Sequence, residues 1–366
     1  MTGKAIMRAA VMALAVLASV GACERRQVTA TDPADTVDGT TAPVRVRAQS
    51  ATLAEVKRRG RLNCGVHEGL VGFAYLDNRG AWRGFDVDFC RAMAAAIFGD
   101  ADAVRFVPLS TGDRFEALES GRIDVLWRNT SWTMQRDAGQ GVAFAGINYY
   151  DGQGFLVRRS LNLNSASELN GARICVQSGS TSELNVADYF RSRGIEYRPV
   201  IFDSEEAARQ AYGREDCDAF SADISALAAA RTTLSGPQQH MILPDVISKE
   251  PLGPVVRRGD EQWTAIVRWT LNALILAEEL GVAQDNVAAQ ARDARDPRVR
   301  RLLGSEGQFG AVLGLPDDWA REAIGAVGNY GEIFSRNLGS ESALDLARGL
   351  NAQWNAGGLI YGLPIR

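Results

Sequence analysis

One arginine, one aspartate and a group of hydroxyls are the residues of this chain whose types and spacing could do chemistry together. The run Asp124-Val125-Leu126-Trp127-Arg128-Asn129-Thr130-Ser131-Trp132-Thr133-Met134-Gln135-Arg136-Asp137 reads as a strand ending at Trp127, followed at once by amide and hydroxyl side chains. In a parallel sheet, ligands collect beyond the carboxyl ends of the strands. Thr133 is spaced as the N-cap of a helix that carries Arg136 in its first turn, facing the crevice. A planar fork of donors at that place suits a carboxylate, held bidentately. An isolated arginine would be read as a solvated surface residue; beside Asn129, Thr130 and Ser131 that reading is the weaker one.

Further along, Ser178-Gly179-Ser180-Thr181-Ser182-Glu183 joins a strand to a helix through small residues and hydroxyls, so free N–H groups can meet an anion there. Many helices begin this way, and the segment is a weak signal alone. Asp223 follows the strand Asp218–Ser221 and suits an ammonium, although it serves equally well as the N-cap of a helix over Ile224–Arg231. Arg136 and Asp223 with hydroxyls between them match the two charges of a zwitterion.

Other chemistries find little support. The two histidines, His67 and His240, stand far apart with no Cys or Glu at metal-ligand spacing, so neither a metal nor a cofactor is expected. No G-x-S-x-G or GxxxxGK[ST] motif occurs, and Gly139-Gln140-Gly141 and Gly152-Gln153-Gly154 lack a third glycine. The rival reading of a zwitterion-sized cleft is a lyase or dehydratase, which would need an acid or base there; Glu68, Glu183 and His67 are the candidates. A ligand-presenting sensor module is a third class that the same residues would serve. A net charge of −4 without a basic block argues against a nucleic-acid partner.

The elements that must position these residues alternate between strand and helix. A helix over Leu53–Arg59, a strand at Leu62–Val66, and a hairpin bending at Asp77-Asn78-Arg79-Gly80 come first. A helix headed by Asp86 and Asp88 follows, with Phe89, Met93 and Ile97 at intervals of four and acidic residues suited to its N-terminus. The strand Val104–Pro108, the helix Asp113–Ser120 and the strand Ile123–Trp127 complete a β-α-β-α-β unit with a parallel sheet. A second unit of the same grammar spans Ala172–Arg231. The extended stretches Gly152–Arg158 and Lys249–Val256 connect the two units, a helix with Trp263, Ile266, Val267, Trp269, Thr270 and Leu274 along one stripe comes next, and the remainder to Arg366 reads as mostly helical.

Residues 1–22 have the order of a signal peptide: Lys4 and Arg8, an apolar run from Ala9 to Val20, then Val20-Gly21-Ala22 before Cys23. The same four residues at the end resemble a bacterial lipobox, which would make Cys23 the lipidated first residue; ordinary cleavage would leave it a free thiol. Residues 23–50, without an aromatic, read as a flexible tether. Export permits disulfides. Cys64, Cys90, Cys175 and Cys217 allow three pairings that the sequence alone does not choose between, and their distribution favours pairing within halves.

Gly84-Phe85-Asp86-Val87-Asp88-Phe89, followed by Met93-Ala94 and Ile97, resembles the signature of bacterial solute-binding proteins of polar amino acid ABC importers, family 3. Cys64-Gly65-Val66, Arg128-Asn129-Thr130-Ser131-Trp132-Thr133, Tyr149-Tyr150-Asp151-Gly152-Gln153-Gly154-Phe155, Ile174-Cys175-Val176-Gln177-Ser178-Gly179, Ile247 to Pro254 and Gly328-Asn329-Tyr330-Gly331-Glu332 extend the likeness, toward the general L-amino acid-binding branch, over nearly all of residues 50–366.

The resemblance implies an α/β fold: a two-lobed, type II periplasmic-binding-protein-like clamshell. Each lobe would be a mostly parallel sheet flanked by helices, with a C-terminal helical extension. Residues 51–152 and 255–366 would form lobe 1 with that extension, and 153–254 lobe 2 with the hinge strands. A non-enzymatic, monomeric protein is implied, which binds an L-amino acid in the periplasm and hands it to an ABC permease in the inner membrane. Arg136 would hold the α-carboxylate, with Ser131, Asn129 and Thr130 on the same side. Thr181 would add a donor from the other lobe, and Asp223 would take the α-ammonium. Where relatives place an acidic residue and an aromatic around the ligand side chain, this chain has His67 and Leu70, with Phe73 beyond. The lack of a fixed counter-charge there fits a broad ligand range.

Overall fold

The run Leu62-Asn63-Cys64-Gly65-Val66 is buried along its whole length, as a central strand covered on both faces must be. In the computed structural model, which describes residues 50–366, it belongs to the first of two five-stranded sheets. The leader, Cys23 and the tether up to residue 49 lie outside the described residues.

Helix α1 (Ala51–Arg59) leads into β1 (Leu62–His67), the hairpin β2 (Tyr75–Leu76) and β3 (Trp82–Arg83), α2 (Phe85–Phe98), β4 (Val104–Leu109) and α3 (Arg114–Glu119). Strand β5 (Val125–Leu126), α4 (Met134–Gly139), β6 (Val142–Phe144) and β7 (Tyr149–Asp151) follow. Next come β8 (Gln153–Arg158), β9 (Arg173–Gln177), α5 (Thr181–Arg193), β10 (Arg198–Phe202), α6 (Glu205–Gly213), β11 (Ala219–Asp223), α7 (Ile224–Thr233) and β12 (His240–Ile242). The chain returns through β13 (Glu250–Leu252), β14 (Val255–Arg257) and the long α8 (Glu261–Glu279). It then adds α9 (Val287–Asp293), α10 (Pro297–Leu302), α11 (Phe309–Leu313), α12 (Trp319–Val327) and α13 (Tyr330–Asn337).

The first sheet has the order β4-β1-β5-β14-β6 and the second β10-β9-β11-β8-β12. In each, three neighbouring strands are parallel, as the alternating pattern predicts. The two extended stretches read as connectors are themselves sheet strands. β14 runs antiparallel between β5 and β6, and β8 antiparallel between β11 and β12. Just before each, β7 and β13 pair antiparallel, with Glu250 opposite Asp151 and Leu252 opposite Tyr149. The fold is therefore a two-lobed clamshell with a two-stranded ribbon where the chain passes between sheets. Gly253 ends the ribbon at a place where a Cβ would lie 1.9 Å from the Gly146 carbonyl oxygen, so no larger residue fits without moving backbone.

Helix α2 is the packing centre of the first lobe. Gly84 precedes it at φ 131°, a value L side chains avoid, and a Cβ there would lie 2.1 Å from the Phe73 carbonyl oxygen. Phe85 meets Phe73, Phe89, Tyr149, Tyr330 and Phe334 edge-on, while Phe89 stacks on Trp127 at 4.6 Å. Asp86 and Asp88 do occupy the first turn, but both are buried and have specific partners rather than merely answering the helix dipole. Asp88 accepts from Arg336 and Asn337, each at 2.7 Å, which fastens the C-terminal helices to α2. Beyond Asn337 the expected helix gives way to irregular chain with single turns at Gly349–Asn351 and Trp354–Ala356. There the Asn351 side chain pairs with both main-chain groups of Tyr150, at 2.7 and 3.0 Å.

Disulfides join Cys64 of β1 to Cys90 of α2 and Cys175 of β9 to Cys217 beside β11. Their sequence separations are 26 and 42 residues. Loops of that size restrict the unfolded chain by about 3–4 kcal/mol each. Replacing Cys175 and Cys217 together by alanine should lower the urea-unfolding free energy by about that amount. Equilibrium unfolding followed by circular dichroism checks this, and a loss below about 1 kcal/mol contradicts the chain-entropy account.

Candidate functional site

The carboxyl ends of the parallel strands face one another between the sheets, and the turns that follow them build the site. After β5, the chain reverses through Asn129, which adopts a left-handed φ of 27°. Asp86 holds this turn, its carboxylate accepting from the Asn129 N–H at 3.1 Å and the Asn148 amide at 3.4 Å. Burial pushes the Asp86 carboxyl up to about 7, although those two donors and the Arg128 charge pull the other way.

Three guanidinium groups enter the cleft from this side. Arg128 donates through Nε to the Leu109 carbonyl at 2.8 Å and through Nη2 to the Thr111 hydroxyl at 3.2 Å, so the end of β4 aims it. Arg136 sits in the first turn of α4 behind the Thr133 N-cap, and its Nη1 donates to the Ser131 carbonyl at 3.0 Å. Arg114 opens α3 and is buried, yet it donates no hydrogen bond to the protein and its Nε is without a partner. The Phe115 ring lies beneath both Arg114, at 4.9 Å, and Arg136, at 5.9 Å. Burial lowers the pKa of all three; neighbouring arginines lower that of Arg114 further, and Arg128 comes down to about 10, still cationic at neutral pH.

The second lobe supplies hydroxyls and acids. Ser180 caps α5 by accepting from the Glu183 N–H at 3.2 Å, which leaves the first-turn N–H of Thr181 unbonded within the helix. The Thr181 hydroxyl is committed to Glu250 at 3.1 Å, so the donor it offers a ligand is its main-chain N–H. Glu250, on β13, also accepts from Asn185 and Ser248, both at 2.7 Å. Asp223 occupies the N-cap position of α7 but makes no cap hydrogen bond. Asp151 instead takes the Ser225 N–H and hydroxyl, and so Asp223 is left free to face the cleft. Burial, and then the charges of Asp151 and Glu250, drive the Asp223 carboxyl well above the usual carboxylate range; burial raises Asp151 to about 6.

These residues line one cavity of about 490 Å³, open to solvent. Of those predicted from sequence, Arg136, Ser131, Asn129, Thr181 and Asp223 come together in it. Thr130 does not: it is fully buried and its hydroxyl turns back to the Arg128 carbonyl at 2.7 Å, bracing the turn from behind. His67 and Leu70 line an adjoining hollow instead, because the end of β1 lies beyond Glu205, which borders both spaces. Burial, then the Arg128 and Arg114 charges, push the His67 pKa well below its usual value, so the ring is neutral beside Glu205 at 3.9 Å. The Thr111 hydroxyl donates to the Gln177 side-chain oxygen at 3.2 Å, a direct hydrogen bond from one lobe to the other.

Sequence reasoning passed over Arg114, Arg128, Thr111, Gln177 and Glu205, all of which line the cavity. The signal for them was the same rule that found Arg136: each lies at the carboxyl end of β4, β5, β9 or β10 or in the segment and helix start that follow it. Arg114 and Arg128 bring positive charge to the cavity from beyond the ends of β4 and β5 rather than from the end of β1. Among the described residues no group of His, Cys, Asp and Glu is arranged to hold a metal ion, and no helix is long and apolar enough to cross a membrane.

Two lobes enclosing a small cleft, with opposite charges presented from facing strand ends, define a small-molecule binding protein that closes on its ligand. The profile of bacterial extracellular solute-binding proteins, family 3, matches residues 62–286, and the chain belongs to that family. It is 53% identical over 321 residues, 87% of its length and 94% of the relative's, to the general L-amino acid-binding periplasmic protein AapJ of Rhizobium johnstonii. To the glutamate/glutamine/aspartate/asparagine-binding protein BztA of Rhodobacter capsulatus it is 49% identical, over 87% of this chain and 94% of that one. A solved periplasmic binding protein of an ABC transporter from Brucella ovis, with glutathione bound, superposes with a TM-score of 0.85 at 54% identity, covering 87% of this chain and all of that one.

The buried acids set a pH dependence of stability. Asp86 and Asp151 have folded pKa values above their unfolded ones, so between about pH 4 and 7 these two carboxyls bind more protons in the folded than in the unfolded chain, while the lowered His67 and His240 act in the opposite sense. The contribution of these two carboxyls to the stability of the ligand-free protein should therefore fall as pH rises through that window and level off above it. Asp86→Asn should remove part of the fall, on the order of 2–4 kcal/mol. Melting temperatures of both proteins from pH 4 to 8 check this, and parallel curves contradict it.

Proposed function

We propose that this chain is the substrate-binding component of an ABC importer, capturing L-amino acids in the periplasm and delivering them to a permease in the inner membrane. The observation that carries this reading is that Arg136 and Asp223, both buried, line the same cavity, and neither is paired with an opposite charge of the protein. An α-carboxylate on Arg136 and an α-ammonium on Asp223 would satisfy both at once. Ser131, Asn129 and the Thr181 N–H would add hydrogen bonds. The names of the relatives, which describe amino-acid-binding proteins of importers, support the same ligand class. Residues 51–152 with 255–366, and 153–254, would move as two bodies about the β7–β13 ribbon.

The chain acts as a binder rather than an enzyme in this proposal. Glu68, Glu183 and His67, the candidate acid-base residues, are all absent from the cavity lining. Cys23 would anchor a monomeric protein to the membrane surface through a lipid. Membrane fractionation of cells expressing the chain and Cys23→Ser should show the variant released to the soluble periplasmic fraction; unchanged partitioning counts against the anchor.

Thermal melts against the common L-amino acids and glutathione test the main reading. Ligand at about 1,000 times its Kd should add about 4 kcal/mol of stability. Arg136→Ala should weaken binding of every ligand alike, by on the order of 100-fold, the loss of hydrogen bonds to a charged group. An absence of stabilisation by any amino acid ends the proposal, and selective loss for one side-chain class contradicts the role of Arg136. Release of a product from prephenate-like acids, read by mass spectrometry, would favour the lyase.

A further inference from the structure

If the lobes turn about the β7–β13 ribbon, whatever grips that ribbon bears on capture. In an antiparallel pair every second residue turns its main-chain N–H and C=O away from the partner strand. Tyr150 of β7 does so, standing opposite Pro251, which has no N–H to give. On that free edge it meets Asn351, whose side-chain oxygen accepts from the Tyr150 N–H at 2.7 Å and whose amide donates to the Tyr150 carbonyl at 3.0 Å. One side chain thus stands where a neighbouring strand would, and the ribbon gains a third member one residue long. At the opposite edge the Trp132 N–H donates to the Pro251 carbonyl at 2.8 Å, so the ribbon is fastened to lobe 1 on both sides.

Asn351, 3% exposed, is itself held in place. Its carbonyl accepts from Arg348 Nε at 2.8 Å, and the two Nη groups of Arg348 grip the Glu278 carboxylate of α8 at 3.0 and 3.2 Å. A bidentate pair of this kind fixes the plane of the guanidinium as well as its distance. The same guanidinium lies 5.2 Å from the Tyr330 ring and 4.9 Å from that of Phe334. The Tyr330 hydroxyl in turn donates to the Asn148 carbonyl at 2.9 Å, two residues before Tyr150. Tyr330, Arg348 and Asn351 do not line the cleft, and all three lie beyond residue 286, where the match to the family profile ends.

We infer that Asn351 is a positioning residue for ligand capture: as a one-residue strand on the edge of β7 it fixes the lobe-1 side of the hinge in the arrangement that retains a ligand. The inference rests on the two-lobe capture reading above. The pairing exists in the same structure in which Thr111 and Gln177 join the lobes. Freed from Asn351, Tyr150 regains main-chain freedom, and the open forms, which are many, gain more from it than the single closed one. With Asn351 in place, bending is confined to the lobe-2 side of the Asp151–Glu250 pair, beginning at Gly152.

Stopped-flow release of L-glutamate and of L-alanine, followed by tryptophan fluorescence in the intact protein and in Asn351→Ala, tests it beside small-angle X-ray scattering of both proteins without ligand. The variant should release both amino acids about five- to tenfold faster and by the same factor, as expected for two hydrogen bonds lost at a place that touches neither ligand. Without ligand it should scatter as a more open particle. Release within about twofold of the unaltered protein overturns the inference even if the melting temperature drops, because a merely structural contact lowers stability and leaves release alone. Faster release of only one amino acid overturns it as well, since a hinge does not read side chains. If neither amino acid binds the unaltered protein, the amino-acid reading fails and scattering decides: identical curves overturn the hinge role, and a more open variant supports it. Should Asn351→Ala fail to fold, as seen in its circular dichroism, Tyr330→Phe takes its place. It removes only the hydroxyl on the Asn148 carbonyl and should speed release about threefold, and an unchanged rate there overturns the inference.

Discussion

The structure is organised around charges that are buried without an opposite charge beside them. Three guanidinium groups and the Asp223 carboxyl are buried in the walls of one cleft, and the fold offers none of them an ion-pair partner. Such groups cost stability wherever they are placed, so a chain that keeps them must hold the surrounding elements stiffly enough to prevent collapse onto one another. The aromatic cluster on α2, the disulfide in each lobe and the paired ribbon strands provide that stiffness.

The cleft is also polarised. Positive charge arrives from the turns after β4 and β5, and negative charge is concentrated near the ribbon, where Asp151 and Glu250 lie opposite each other and Asp223 pairs opposite Gln153. Asp223 therefore sits in a field of like charge that a cation relieves, and Arg114 in a field of like charge that an anion relieves. The two halves of the site are frustrated in opposite senses, which sets the orientation of a dipolar guest before any shape fitting is considered.

Much of this was legible in the residues. Strand and helix alternate where periodicity predicts, and the rule that ligands gather beyond strand ends singled out Arg136, Thr181 and Asp223, which the structure brings to one cavity. The same rule reaches Arg114 and Arg128, yet arginines are common on surfaces, and nothing local distinguishes a buried guanidinium from a solvated one. Thr130 was misplaced because a turn residue can direct its hydroxyl forward or back, and only the tertiary position of the Arg128 carbonyl decides. β8 and β14 were recognised as extended, but which sheet an extended segment joins depends on long-range pairing that the segment itself does not encode.

The acids of the first turn of α2 stand two positions apart and so leave the helix on different sides. Asp86 reaches the Asn129 turn of the cleft, and Asp88 reaches Arg336 and Asn337 more than two hundred residues downstream. A single helical turn thus couples the rim of the binding site to the far end of the chain. Damage to the C-terminal helices would then surface as a transport phenotype with every cleft residue intact, and a genetic screen for lost uptake would collect alleles in a segment that never touches the cargo.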